Sequence, residues 1–274
     1  MSIEIEPVSA EIGAVVHGVD LTKPLAPEVV KEISQALLDH LALIFFDQPL
    51  TEERHIALAR QFGEIQPPPL KTRHNDDVLL HVMDQTSPKG EGADNWHTDN
   101  TYISEPPMGS ILRAVQMPSK GGDTLLGSMY AAYDALSEPM RTMLDGLTAE
   151  HDVSKSARRG IRGGHIKAEL SDLQKRLPPV THPVIRTHPV TARKCLFVHS
   201  NSTVRINELE EDESQCVLDF LFQHVHKPEF QVRHRWRNDS VVFFDNRCTQ
   251  HYAVPDYTER RILHRVTIKG DRPF

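Results

Sequence analysis

Two short motifs in the sequence place an aspartate two residues after a histidine. They are His97-Thr98-Asp99 and His74-Asn75-Asp76. Residues two apart in an extended segment point to the same side, so the imidazole and the carboxylate can bind one metal ion. With 16 histidines among 274 residues, one such pair is expected by chance, and the context must decide. His74 lies in a polar run typical of an exposed loop, whereas His97 follows Trp96.

A second histidine would complete a triad of two imidazoles and one carboxylate. Such a triad leaves coordination positions open, as non-haem iron(II) oxygenases require. His251 is the best candidate, because it follows the apolar run 241–244 and a loop that leaves a core strand is a natural place for a ligand. On pattern alone His199, His234 and His264 remain competitors.

Paired arginines near the end of the chain predict an anion site. Arg261 and Arg265 alternate with other residues of a predicted strand, and the period of two places them on one face. They either pair with carboxylates of the protein or bind ligands that carry negative charge. Their position soon after His251 favours a ligand. The run Gly121-Gly122-Asp123-Thr124 permits a tight turn before a strand and offers a hydroxyl.

These residues must be positioned by a largely β architecture with flanking helices. The spacing of apolar residues predicts helices over 27–41, 51–62, 130–147 and 211–226, with Thr51 as the N-cap of the second helix. Short strands are predicted at 42–46, 78–83, 111–117, 196–199, 230–236, 240–244 and 262–268. Strands of this kind indicate a jelly-roll sandwich. The stretch 154–165, rich in Lys and Arg, reads as a mobile basic loop.

Composition narrows the class of protein. The length and the 39% of hydrophobic residues fit a single domain over residues 1–274. A net charge of −7 argues against nucleic acid as a partner. The acidic N-terminus and the lack of a long apolar run predict a cytoplasmic protein without a membrane partner. Cys195, Cys216 and Cys248 are too far apart for a cysteine metal site. We expect a homo-oligomer.

The sequence resembles the taurine/2-oxoglutarate dioxygenase family, the TauD/TfdA family, nearly from end to end. The shared motifs are Gly18-Val19-Asp20-Leu21, Phe62-Gly63-Glu64, Asn95-Trp96-His97-Thr98-Asp99, Gly121-Gly122-Asp123-Thr124, Thr187-His188-Pro189, Asp245-Asn246-Arg247, Thr249-Gln250-His251-Tyr252-Ala253 and Arg260-Arg261. The resemblance implies a double-stranded β-helix core. It implies that iron(II) is bound by His97, Asp99 and His251.

The same resemblance assigns the co-substrate and part of the substrate site. It implies that Thr124 and Arg261 bind the distal carboxylate of 2-oxoglutarate, which reacts with O2. It also implies that Arg265 lies beside the iron and contacts an anionic substrate group, and that His74 is not a ligand.

The positions that read the substrate in taurine-specific members differ here. They are occupied by Pro68, Lys71, Ala93, Ala157 and Ser202. We therefore expect hydroxylation of a small anionic compound other than taurine, such as a sulfonate, an alkyl sulfate ester or an aryloxyalkanoate. Three alternatives stay open: a taurine dioxygenase with a divergent pocket, a zinc hydrolase that uses the same triad, and a catalytically inactive binding protein.

Overall fold

The fold is a set of β-sheets with helices packed outside them, seen in a computed structural model that describes residues 3–70, 79–86, 94–164 and 166–274. The helices are α1 (Pro27–His40), α2 (Glu52–Arg60), α3 (Met129–Asp134), α4 (Glu138–Leu144), α5 (Ser154–Arg162), α6 (Leu170–Arg176) and α7 (Glu211–His224), with a 3-10 turn at Pro228–Phe230. The strands are β1 (Glu4–Pro7), β2 (Ala14–His17), β3 (Ala42–Phe45), β4 (His81–Thr86), β5 (Gly109–Gln116), β6 (Thr124–Ser128), β7 (Thr148–His151), β8 (Val180–Pro183), β9 (Ile185–Thr187), β10 (Lys194–Leu196), β11 (Thr203–Ile206), β12 (Gln231–His234), β13 (Val241–Asp245), β14 (Thr249–Ala253) and β15 (Arg260–Ile268).

Two sheets frame the interior of the molecule. The larger has seven strands in the order β1-β2-β3-β13-β5-β15-β4, and a three-stranded sheet has the order β12-β6-β14. A second three-stranded sheet, β11-β7-β8, and the hairpin β10-β9 complete the strands of the described residues. This strand-rich arrangement is the jelly-roll core that the sequence predicts.

The apolar strand β13 is buried on both faces, which explains its unbroken run of hydrophobic residues. Val241 and Phe243 pack with Ile33 of α1 and Leu58 of α2 on the outer face of the large sheet. The alternate side chains of β13, at 242 and 244, point to the interior. Because side chains alternate along a strand, the outer face of the large sheet packs against the helices and its inner face lines the interior.

Most predicted elements are present, and α2 begins as expected, with the Thr51 side chain accepting a hydrogen bond from the backbone N–H of Arg54. The single helix predicted over 130–147 is wrong, since α3 and α4 replace it. Ser137 caps α4, and Pro139 in the first turn has no N–H with which to continue a helix from before it. The predicted strand 78–83 begins at His81 among the described residues.

The basic segment after residue 153 is a helix, so the prediction of a loop there is wrong. Val153, Ala157 and Ile161 recur every four residues and form one apolar stripe of α5. That stripe packs in a small cluster with Leu70 and Tyr102, while the basic side chains lie around the rest of the helix. Burial of the stripe holds the helix in place.

None of the helices in the described part of the chain combines the length and the apolar character that crossing a bilayer requires.

Candidate active site

Three buried side chains converge between the two framing sheets. The Nε2 atoms of His97 and His251 lie 3.8 and 3.9 Å from Oδ1 of Asp99. The potential ligand atoms of the three residues all lie within 4.8 Å of one another, close enough to bind one metal ion. The geometry thus brings together the three residues that the sequence analysis selected.

Backbone pairing fixes the two histidines relative to each other. His97 and His251 form an antiparallel bridge, with N···O distances of 3.0 and 2.8 Å. Asn246 fixes the backbone of Asp99, because its side chain accepts a hydrogen bond from the Asp99 N–H at 2.8 Å and donates one to the Asp99 carbonyl at 3.1 Å. His251 lies within β14 rather than in the loop that the sequence suggested. Because His251 lies in a strand, the pairing of the sheet fixes the direction of its side chain.

The hydrogen bonds of the triad suit metal binding. Nδ1 of His97 donates to the backbone carbonyl of Asn95 at 2.6 Å, which leaves the Nε2 lone pair directed to the triad centre. Burial lowers the pKa of His97, and burial together with the nearby His97 lowers the pKa of His251 to about 3. Burial opposes ionisation of Asp99, but Arg265, the two histidines and the hydrogen bond from Ser110 together outweigh it and keep the pKa of Asp99 below its usual range. The donor set is two neutral imidazoles and one carboxylate.

Arg265 of β15 lies directly beside the triad. Its Nη1 donates to Oδ1 of Asp99 at 2.7 Å, and Ser110 donates to the other carboxylate oxygen at 3.2 Å. The Nε atom of Arg265 is buried and has no hydrogen-bond partner in the described residues. A buried donor without a partner costs stability, so this edge of the guanidinium is suited to an anionic ligand.

A second candidate position for an anion lies four residues earlier on the same strand, at Arg261. Nε of Arg261 donates to the carbonyl of Gly122 at 3.0 Å, whereas its buried Nη2 has no partner among the described residues. A Cβ at Gly122 would lie 3.1 Å from Cδ of Arg261, so glycine permits this close approach. Trp236 donates to Oγ1 of Thr124 at 2.9 Å, which leaves the threonine hydroxyl hydrogen available to a ligand.

One cavity of about 220 Å³ connects these positions. The triad, Thr124, Arg261 and Arg265 all line it. Of the residues predicted to read the substrate, Pro68 and Ser202 also line it. Lys71 and Ala93 lie outside the described residues, as does His74. Ala157 is buried in the apolar cluster under α5 and does not line the cavity.

Helix α5 forms part of the cavity wall. Ser156 and Gly160 line it, and Arg159 falls on the same face of the helix because residues three and four apart are neighbours. The half-buried Arg159 has no hydrogen bond or ion pair within the described residues, and its charge contributes to lowering the pKa of His97. The adjacent Arg158 is exposed. The basic segment therefore brings positive charge to the site.

The competing histidines have other environments. Nε2 of His199 lies 2.7 Å from the hydroxyl of Thr101, and the ring of His234 lies 4.5 Å from that of Trp236. His264 lies near Glu52 on the outer side of β15. A second cluster of possible metal ligands, made of His188, Asp245 and Cys248, is engaged in internal hydrogen bonds.

Several cavity residues escaped the sequence analysis. They include Trp236, Tyr102, Asn201 and three alternating residues of β4, namely His81, Met83 and Gln85. Their types carry no distinctive motif, and only the pairing of β4 with β15 brings the last three to the site.

Comparisons with known proteins agree with this geometry. Residues 4–267 match the profile of the family described as "Taurine catabolism dioxygenase TauD, TfdA family". An alpha-ketoglutarate-dependent sulfate ester dioxygenase of Pseudomonas putida is 34% identical, over 100% of this chain and 91% of the relative. An alpha-ketoglutarate-dependent 2,4-dichlorophenoxyacetate dioxygenase of Cupriavidus pinatubonensis is 31% identical, over 99% of each chain.

Solved structures show the same fold. A taurine dioxygenase from Burkholderia xenovorans superposes with a TM-score of 0.84 at 35% identity, covering 100% of this chain and 91% of that one. A crystal structure of AAD-2 with Mn(II) and N-oxalylglycine gives 0.83 at 30% identity, covering 100% and 99%. Family, fold and clustered residues lead to one conclusion: the chain belongs to the TauD/TfdA family and is a 2-oxoglutarate-dependent dioxygenase.

Proposed function

We propose that His97, Asp99 and His251 bind iron(II), that Arg261 and Thr124 bind 2-oxoglutarate, and that Arg265 binds an anionic substrate. The observation that carries the proposal is that one cavity contains the triad, the buried Arg261 and the partly buried Arg265, and that each arginine has a buried guanidinium nitrogen without a partner among the described residues. A metal site and two anion sites are what this chemistry requires.

The donor set fits iron(II). Two imidazoles and a carboxylate, with the remaining positions open, are typical of non-haem iron oxygenases. When bound, iron(II) would couple the oxidative decarboxylation of 2-oxoglutarate by O2 to hydroxylation of a substrate carbon. The Ser110 and Arg265 contacts to Asp99 would keep this carboxylate ionised and oriented for the metal.

The residues of the chain divide the remaining tasks. Arg261 would form a charge-assisted pair with the distal carboxylate of 2-oxoglutarate, aided by the hydroxyl of Thr124. Leu112, Val242 and Phe244 line the same cavity and would exclude water from the co-substrate. Arg265 would hold the substrate anion and so fix which carbon faces the metal.

The substrate class follows from the replaced pocket residues. Pro68 and Ser202 line the cavity, as do the apolar Leu70 and Ile166. Relatives are named for sulfate esters, sulfonates and phenoxyalkanoates. We infer a small organic anion with a larger or more apolar body than taurine. Lys71 and Ala93 stay predictions for this end of the site.

The family and its 2-oxoglutarate-dependent relatives exclude the zinc hydrolase considered from the sequence, although the same triad could bind zinc. The buried Arg261 agrees with this, since a hydrolase has no need of a site for a dicarboxylate.

The test measures succinate release by the protein supplied with iron(II), 2-oxoglutarate and oxygen. Taurine, an alkyl sulfate, an alkyl sulfonate and a phenoxypropionate are compared by kcat/KM. We expect release that depends on one of the larger anions and is lost in Arg265→Gln. If taurine is the best substrate, the substrate class is wrong.

A further inference from the structure

The peptide groups of Asp99 are paired by a side chain rather than by a neighbouring strand. The bridge between His97 and His251 is a single residue pair, so the strand pairing stops before Asp99. The next residue, Asn100, has a φ of 53°, which turns the chain out of the extended direction. The carboxylate that completes the triad therefore lies at the end of an extended segment, where other contacts must set its direction.

The fully buried Asn246 makes these contacts with its whole amide group. Its Oδ1 accepts from the Asp99 N–H at 2.8 Å, and its Nδ2 donates to the carbonyls of Asp99 and Pro107, both at 3.1 Å. A primary amide has two N–H donors, and here both are used. Pro107 leads into β5, whose Ser110 donates to the Asp99 carboxylate. Asn246 thus fixes the backbone of the ligand against the strand that contacts its side chain.

The turn that carries Asn246 is itself anchored. The carboxylate of Asp245 accepts from Nε2 of His188 at 3.1 Å and from Nε of Arg247 at 2.9 Å. Nδ1 of His188 accepts from two backbone N–H groups, which makes Nε2 the donor. The backbone N–H of Asn246 donates to the carbonyl of Met108 at 2.8 Å. The second cluster of possible metal ligands therefore serves as an anchor for this turn.

We propose that Asn246 is a positioning residue of the metal site, which holds Asp99 in the orientation that a metal ion requires. The inference rests on the proposed function, in which Asp99 is a metal ligand. Contacts behind the ligands typically change metal affinity by roughly tenfold to a hundredfold, because they orient the ligands before the metal binds. Asn246 does not line the cavity, so its effect should fall on the metal rather than on a direct contact with either organic substrate.

Calorimetric titration of cobalt(II) under nitrogen measures the metal affinity without turnover. The wild type is compared with Asn246→Ala, Asn246→Ser and Thr249→Val. Thr249→Val is the matched control, because it removes a buried hydrogen bond of the same turn, from Oγ1 of Thr249 to the carbonyl of Asp245 at 2.7 Å, and that bond does not involve Asp99. We expect the Kd for cobalt(II) to rise roughly tenfold to a hundredfold in both Asn246 variants and less than about threefold in the control.

Two further readouts separate positioning from a general loss of stability. The visible absorption of bound cobalt(II) reports its coordination, and it should change in the Asn246 variants but not in Thr249→Val. Succinate release by the Asn246 variants should recover towards the wild-type rate as the iron(II) concentration is raised, because all three ligands are still present. The urea midpoints of the metal-free proteins show how far each variant is destabilised.

An unchanged Kd for cobalt(II) in a folded Asn246→Ala protein would overturn the inference while the proposed function stands. An equal rise of the Kd in Thr249→Val would also overturn it, since any weakening of the turn would then have the same effect. Failure of both Asn246 variants to fold would make the residue a part of the fold alone. A wild type that binds no cobalt(II) would instead reject the proposed metal site, and this inference with it.

Discussion

Replacing Arg261 with alanine should selectively weaken the binding of 2-oxoglutarate. The side chain is only 3% exposed, and its Nη2 has no partner in the described residues. Burial lowers the pKa of Arg261, as expected for a charge removed from water without a full counter-ion. A carboxylate at this position would satisfy both the free N–H groups and the charge.

The expected size of the effect follows from these contacts. Charge-assisted hydrogen bonds contribute about 1.5–3 kcal/mol each, and a bidentate pair makes two. Because such terms are not additive, we take one bond as the lower limit, which corresponds to a loss of about tenfold in affinity. Thr124→Ala removes a single hydroxyl and should cost less than Arg261→Ala.

Calorimetric titration of 2-oxoglutarate under nitrogen, with iron(II) present, measures this loss directly. Arg260→Ala is the matched control, because the adjacent Arg260 is exposed and pairs with Asp84 at 2.9 Å, away from the cavity. It removes the same charge one residue away and should leave the affinity nearly unchanged. An unchanged Kd in Arg261→Ala would refute the assignment. An equal loss in Arg260→Ala would show that general charge, rather than contact, governs binding.

Three further predictions concern the metal, the basic helix and pH. His251→Ala should abolish iron(II) binding and succinate release, and His74→Ala should retain both; an inactive His74→Ala protein would contradict the triad. Arg159→Gln should lower kcat/KM for an anionic substrate and weaken the dependence of kcat/KM on salt concentration, whereas the same change at the exposed Arg158 should have a much smaller effect. Stopped-flow measurement of substrate binding at several salt concentrations checks this, and equal effects of the two variants would show that only the overall charge matters. Burial lowers the pKa of three histidines to about 4, namely His55, His182 and His234. Below pH 6.5, the ordinary pKa of histidine, the unfolded chain binds protons that these buried rings do not bind in the folded protein. The free energy of unfolding should therefore fall as the pH is lowered from 6.5 to 4, by up to about 1.4 kcal/mol per pH unit for each ring. A urea midpoint that does not change between pH 7.5 and 5 would contradict this.

Local spacing predicted the parts of the site that depend on neighbouring residues. His97 and Asp99 are two apart on an extended segment, and Arg261 and Arg265 share a face of one strand, so the period of two was enough. The third ligand depends on which distant strand pairs with the His97 segment. The bridge between His97 and His251 settles that pairing in the fold, and no local pattern encodes it.

The segments that the sequence analysis predicted wrongly or overlooked have a related physical cause. The basic residues of α5 dominate its composition, whereas its stability comes from a thin stripe of small and apolar residues such as Ala157. The partners of that stripe, including Leu70 and Leu173, come from distant parts of the chain. Likewise, His81 reaches the cavity only through the register of β4 against β15. Tertiary packing supplied the information that these segments lack.

The position of β4 at the end of the seven-stranded sheet has a consequence for how this enzyme can change. Within the described residues β4 pairs only with β15, while the triad residues stand on other segments of the fold. Replacements at 81 and 83 should therefore reshape this wall of the cavity without compensating changes around the triad. A combinatorial library confined to these two positions should yield new substrate scope at a low rate of inactive clones, which makes this strand the natural starting point for directed evolution.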